Sequence, residues 1–171
     1  DILESLDNGV RSLVKNGAHV IWFITPEHAS RMYLNKMAGL SAQYENFEYQ
    51  LAQITLRINQ DFPGSLDLWD VATCKKALLE QVPASPDQTM KYFFDSNHFT
   101  PAYGALLANA MLEGHVDDQI SAVKINPETV DKNQTKDWEA CHTGLDSELQ
   151  KIVDENAKDR CRVNRQWCKN L

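Results

Sequence analysis

The chain has 171 residues, 43% hydrophobic and 24% charged, the make-up of a globular domain with a real core and not of a disordered or membrane-spanning chain. Its net charge of −7 comes from residues 1–123, which hold 8 basic and 15 acidic side chains, whereas residues 124–171 hold 9 of each. An acidic body argues against nucleic acid or an anionic membrane surface as the main partner, and the longest apolar runs, His19–Ile24 and Ala102–Leu112, fall short of the roughly 20 residues a membrane helix needs.

Residues 2–16 put Ile2, Leu3, Leu6, Val10, Leu13 and Val14 on one helical stripe, and Gly17 supplies the stop. The chain opens inside this pattern, which predicts sequence upstream of Asp1; no signal peptide pattern is present. His19–Ile24 is a continuous β-branched and aromatic run, the pattern of a strand buried on both faces, and Thr25-Pro26 ends it. Helix, glycine turn and apolar strand in that order predict a parallel α/β sheet. Helical stretches follow at His28–Ala38 and Ser41–Gln60, split at Gly39, and Tyr44, Phe47, Leu51, Ile54 and Ile58 form a stripe on the second. Phe62-Pro63-Gly64 breaks that helix, and Ser65–Val71 reads as the next strand, with Trp22 and Trp69 as core residues of the two strands.

A short helix is predicted around Lys75–Gln81, before a loop marked by Pro83 and Pro86. Thr100-Pro101 is a strong helix start, since Thr can accept from the backbone at the N-cap and Pro fits the first turn; this helix runs to Glu113 and ends at Gly114. Asn126-Pro127-Glu128 opens a further helical region, and Lys136–Asp159 is helical and charged, with Trp138, Leu145, Leu149, Ile152 and Val153 as a thin apolar stripe. The expected organisation is an α/β portion over residues 1–123 and a helical, cysteine-containing extension over residues 124–171. The basic end, Arg160, Arg162, Arg165 and Lys169, reads as a solvated tail or as a docking patch for an acidic surface.

The four cysteines, Cys74, Cys141, Cys161 and Cys168, have neither C-x-x-C spacing nor histidines at zinc-finger spacing, so no metal is expected. An even count permits disulfides, and Cys161–Cys168 could close a small loop. With Asn133-Gln134-Thr135 as a glycosylation acceptor pattern, the chain leans toward an oxidising compartment, extracellular or periplasmic.

One cluster carries the residue types of catalysis. In Asp95-Ser96-Asn97-His98, just before a helix start, a carboxylate three residues ahead of a histidine can fix the imidazole tautomer and stabilise the imidazolium. The other ring nitrogen is then a general base toward a hydroxyl. The plain alternative is a helix-entry loop in which Asp95 caps backbone N–H groups. His28, after a strand and a proline, belongs at the carboxyl rim of the sheet, either as a substrate contact or as a helix-start residue. Glu27 and Asp70 invite a metal without ligand spacing to support it, and Cys74 is conceivable as a nucleophile for His98 but reads better as a buried or bridged thiol.

The stretch Tyr92–Gly104 resembles the last block of the SGNH (GDSL-like) hydrolase superfamily: D-x-x-H, a Thr-Pro helix start and a glycine one turn in. Phe23–His28, Leu68-Trp69-Asp70 and Asn126–Asp131 resemble neighbouring segments of bacterial SGNH-like proteins, so the resemblance spans roughly residues 10–140. It implies a flavodoxin-like three-layer α/β/α fold with a parallel sheet, incomplete here, plus the helical C-terminal extension. It implies His98 as catalytic base, Asp95 as its orienter, and His28 and Asn97 as substrate contacts. No metal or other cofactor is called for. The implied activity is ester hydrolysis or O-acyl transfer on an acyl ester or acylated carbohydrate, such as a polysaccharide O-acetyl group. The family's serine block and its G-x-N-D block are not in the chain; Gly64-Ser65-Leu66-Asp67 lies too late and enters a strand. Either an N-terminal partner segment supplies the nucleophile, or the chain is a non-catalytic binding or structural protein on the same fold.

Overall fold

The structure is a computed structural model that describes residues 2–74, 76–85, 87–127 and 137–163. In chain order its elements are α1 (Ile2–Lys15), β1 (Val20–Ile24), α2 (Ala29–Met37), α3 (Ser41–Asp61), β2 (Leu66–Asp70), α4 (Pro101–Glu113), β3 (Val123–Lys124), α5 (Asp137–Thr143) and α6 (Ser147–Val163). The glycine after α1 is needed where predicted. Gly17 sits at φ 87°, a conformation costly for any side chain, and its N–H closes the helix onto the Val14 carbonyl at 3.0 Å.

β1 and β2 pair in parallel, from Val20 opposite Leu66 to Ile24 opposite Asp70. A parallel pair needs a long return connection, and α2 and α3 provide it. The sheet is nevertheless mixed, which corrects the expectation of a purely parallel one: β3 runs antiparallel to β2, pairing Asp70 with Val123 and Trp69 with Lys124. The connection from β2 to β3 carries α4 with long loops on either side, and it brings the chain back along β2 in the opposite direction. Two residues, one of them a lysine, leave no strand pattern to read. Lys124 instead holds its place by an ion pair with Asp67 at 2.9 Å and by lying over the Trp69 ring.

Two apolar clusters support the sheet. Val10, Val14, Ile54, Ile58 and Leu66 join α1 and α3 to the strand starts. A larger cluster surrounds the strand ends and includes Ile24, Met32, Leu68, Trp69, Phe93, Tyr103 and Leu107. β1 is an outer strand with β2 as its neighbour, so Phe23 keeps 38% of its surface exposed and is not buried on both faces as its sequence suggests. On α1 likewise Val10 and Val14 are buried while Ile2 and Leu13 remain exposed.

Of the helix predicted at 75–81, the described residues 76–79 form a single turn instead. Its backbone is used elsewhere: the Leu78 carbonyl accepts from Ala29 N–H at 2.8 Å, and Ala77 N–H donates to the Gln119 carbonyl at 3.0 Å. Helix continuation would have to give up those bonds. The C-terminal helices α5 and α6 pack on α2, and Cys74 is joined to Cys141 by a disulfide. Both cysteines are buried beside the Met32 sulfur. Cys74 is therefore no thiol nucleophile for His98. Gly144 separates α5 from α6; a Cβ there would stand 2.6 Å from the Leu79 methyls and 2.9 Å from the Ala140 carbonyl, so only glycine fits. The Asn133 acceptor, the residues after Pro127 expected to start a helix, and the side chains of Trp138, Cys161 and Cys168 lie outside the described residues. Among the described residues no helix is long and apolar enough to cross a membrane.

Candidate active site

The Asp95–His98 loop is built between two aromatic anchors. Phe93 and Phe99 form an isolated antiparallel bridge, Phe94 N–H donates to the His98 carbonyl at 2.8 Å, and Thr100 N–H donates to the Tyr92 carbonyl at 2.8 Å. Phe93 and Tyr103 are almost fully buried and their rings pack 5.6 Å apart, with Phe99 against the same tyrosine. Thr100 joins loop to helix. Its hydroxyl donates to the Lys91 carbonyl at 2.6 Å and accepts from Tyr103 N–H at the start of α4. Gly104 lets the loop lie close to α4, because a Cβ there would meet the Phe99 ring at 3.3 Å.

Inside this frame Asp95 performs both of the roles that its spacing allows. Its Oδ1 accepts from the backbone N–H groups of Asn97 at 2.7 Å and His98 at 2.9 Å, which closes the turn. The same carboxylate meets His98 Nδ1, at 2.7 Å from Oδ2 and 3.0 Å from Oδ1. A carboxylate can only accept, so Nδ1 carries the proton and Nε2 is left as the basic nitrogen. Nε2 has no hydrogen-bond partner among the described residues, and the imidazole is 74% exposed. The Asn97 N–H, the His98 side chain and the His98 N–H, in that order, hold the Asp95 carboxyl down at about 2.

A pH dependence follows. The folded value lies below the unfolded one of about 3.9, so the turn contributes its stability above that value and loses it as pH falls through about 2. A carbon-13 titration of the Asp95 carboxyl is expected to show a midpoint near 2; an ordinary carboxylate midpoint would mean that the turn does not persist in solution.

His28 is almost fully buried and acts as the N-cap of α2. Nδ1 accepts from Ser30 N–H at 3.3 Å and lies 2.8 Å from the Ser30 hydroxyl, so the proton is on Nε2, which donates to the Glu80 carbonyl at 2.8 Å. Burial lowers its pKa, against the opposing bond to Glu80, and favours the neutral ring. Both nitrogens are engaged within the chain and the ring packs edge-on against Phe93. Asn97 is exposed beside His98, its N–H held by Asp95. Glu27 takes the Asn35 amide at 2.9 Å, and Asp70 accepts from Ala72 N–H at 2.9 Å with its carboxyl pushed up by burial. Among the described residues no three His, Cys, Asp or Glu side chains converge as a metal site would require.

Sequence reasoning missed Glu80. Its carboxylate accepts from the N–H groups of Lys91 at 2.5 Å and Tyr92 at 2.7 Å, so it fixes the entry to the dyad loop. Its distance along the chain from that loop left no local signal. Beside the dyad a cleft of about 640 Å³ opens between Val82, Met90, Phe94, His28 and Leu149 of α6; Asp95 is in its wall and His98 is not. Comparison with family models, with curated proteins and with solved structures returns no match for this chain.

Proposed function

We propose that this chain is the base-bearing part of an SGNH-like ester hydrolase or O-acyltransferase acting on acyl esters, such as O-acetyl groups of a carbohydrate. The observation that carries this reading is the His98 imidazole bonded through Nδ1 to Asp95 while Nε2 is exposed and unpartnered among the described residues. Nε2 takes the proton of a serine hydroxyl as its oxygen attacks the ester carbonyl, and Asp95 stabilises the imidazolium that forms. The imidazolium then returns the proton to the leaving alkoxide. In hydrolysis a water repeats the sequence; in transfer an acceptor hydroxyl does.

The serine comes from a segment outside these residues. The edge of β1 supports this, since Val20–Ile24 is apolar throughout yet pairs on one side only among the described residues. A further strand there would extend the parallel pair toward the flavodoxin-like sheet that the sequence resemblance implies. The Cys74–Cys141 disulfide is consistent with an extracellular or periplasmic setting. One observation favours a second reading, a binding protein without catalysis: no described hydroxyl or thiol bonds His98 Nε2.

A serine-directed fluorophosphonate separates the two. Applied to the complete polypeptide that carries these residues, it is expected to label one serine, with labelling lost in His98→Ala. A folded polypeptide that takes no label supports the binding reading.

A further inference from the structure

We propose that the cleft beside Asp95 is a binding site for a small apolar molecule carrying a positive charge, such as an alkyl or aryl ammonium group. Its volume, about 640 Å³, falls within the range of roughly 300–1,000 Å³ typical of small-molecule sites. Val82, Met90, Phe93, Phe94 and Leu149 make much of its wall, which suits an alkyl or aromatic body. Phe94 and Val82 keep large exposed surfaces there, so apolar area remains for a ligand to cover.

Charge then selects among apolar ligands. Among the described residues Asp95 is the one ionisable acid in the wall, and no lysine or arginine lines the cleft. The Asp95 carboxylate is ionised at neutral pH, as any exposed aspartate is, and the hydrogen bonds of its turn hold it in the wall. His28, also in the wall, is turned to Ser30 and Glu80 and is neutral. The nearest lysine in sequence, Lys91, has its ammonium over the Tyr92 ring at 4.7 Å. An anionic ligand would be repelled by the carboxylate. A cation gains from the carboxylate and from the exposed ring of Phe94, and the net charge of −7 draws it in from a distance.

This proposal does not rest on the catalytic reading, and its test involves no turnover. Hexyltrimethylammonium, hexanol and hexanoate share one alkyl chain and differ in charge. Each is titrated into the folded chain by calorimetry, with amide shifts followed by nuclear magnetic resonance. The cation is expected to bind about tenfold tighter than the alcohol, with hexanoate weakest and the shifts centred on residues 82–96 and Leu149. Asp95→Asn, which keeps an acceptor for the turn, brings the cation down to the alcohol. Phe94→Ala, at an exposed position, weakens both and leaves the remaining spectrum in place. Equal affinity for the three probes, shifts elsewhere on the surface, or no saturable binding of the cation overturns the proposal.

Discussion

If the proposed hydrolase reading holds, replacement of His98 by Ala is expected to lower ester cleavage by about 10²–10⁴-fold, the usual contribution of a positioned general base, with the fold unchanged. The imidazole is exposed and its one polar contact among the described residues is Asp95, so its removal opens no cavity and leaves no buried group unpaired. Asp95 separates the two roles that one carboxylate performs. In Asp95→Asn the side-chain oxygen can still accept from the N–H groups of Asn97 and His98, so the turn persists. Its amide donates where the carboxylate accepted, which favours the tautomer with the proton on Nε2 and removes the base. Asp95→Ala loses both the orientation and the turn. The expected order is therefore similar rate losses for both Asp95 variants, with stability reduced mainly in Asp95→Ala. Steady-state kinetics on the complete polypeptide, with denaturant unfolding beside it, measures both quantities. Full activity in Asp95→Asn would show that this carboxylate serves the turn alone.

The disulfide carries the largest expected effect on stability. Cys74 follows β2 and Cys141 lies in α5, 67 positions later, so the crosslink restricts a long loop in the unfolded chain. The loop-closure relation puts that restriction at about 4 kcal/mol. The double variant Cys74→Ala with Cys141→Ala is expected to lose about that much unfolding free energy, measured with denaturant. Alanine is the appropriate replacement because both sites are buried and a serine hydroxyl would add its own desolvation cost. The same loss should loosen α5 and α6 from α2 and withdraw Leu149 from the cleft wall. The dyad loop is held by the Phe93–Phe99 bridge, Thr100 and Glu80 and should keep its form. A loss below about 1 kcal/mol would mean that packing on α2 already restrains these helices without the crosslink.

What the chain specifies by local rules was legible before any coordinates. Apolar stripes marked α1 and α3, because a helix is read from neighbours three and four residues apart, while Gly39 set off α2 and Thr100-Pro101 with Gly114 bounded α4. The dyad was legible for the same reason: Asp95 and His98 lie within one turn of chain, and Thr100-Pro101 fixes where that turn ends. Everything that depended on distant partners was decided only by the tertiary structure. The cysteine pairing is one case, since Cys74 meets Cys141 through the packing of α5 on α2. His28 is another: whether it faces a ligand or caps a helix turns on the Glu80 carbonyl, 52 positions away. β3 exists because β2 offers an edge and Lys124 finds Asp67 and Trp69. The cleft, which brings Val82, Phe94, His28 and Leu149 together, has no counterpart in any single segment. Local propensity acts over one or two turns of chain, whereas burial and long-range hydrogen bonds join whichever groups the fold brings together.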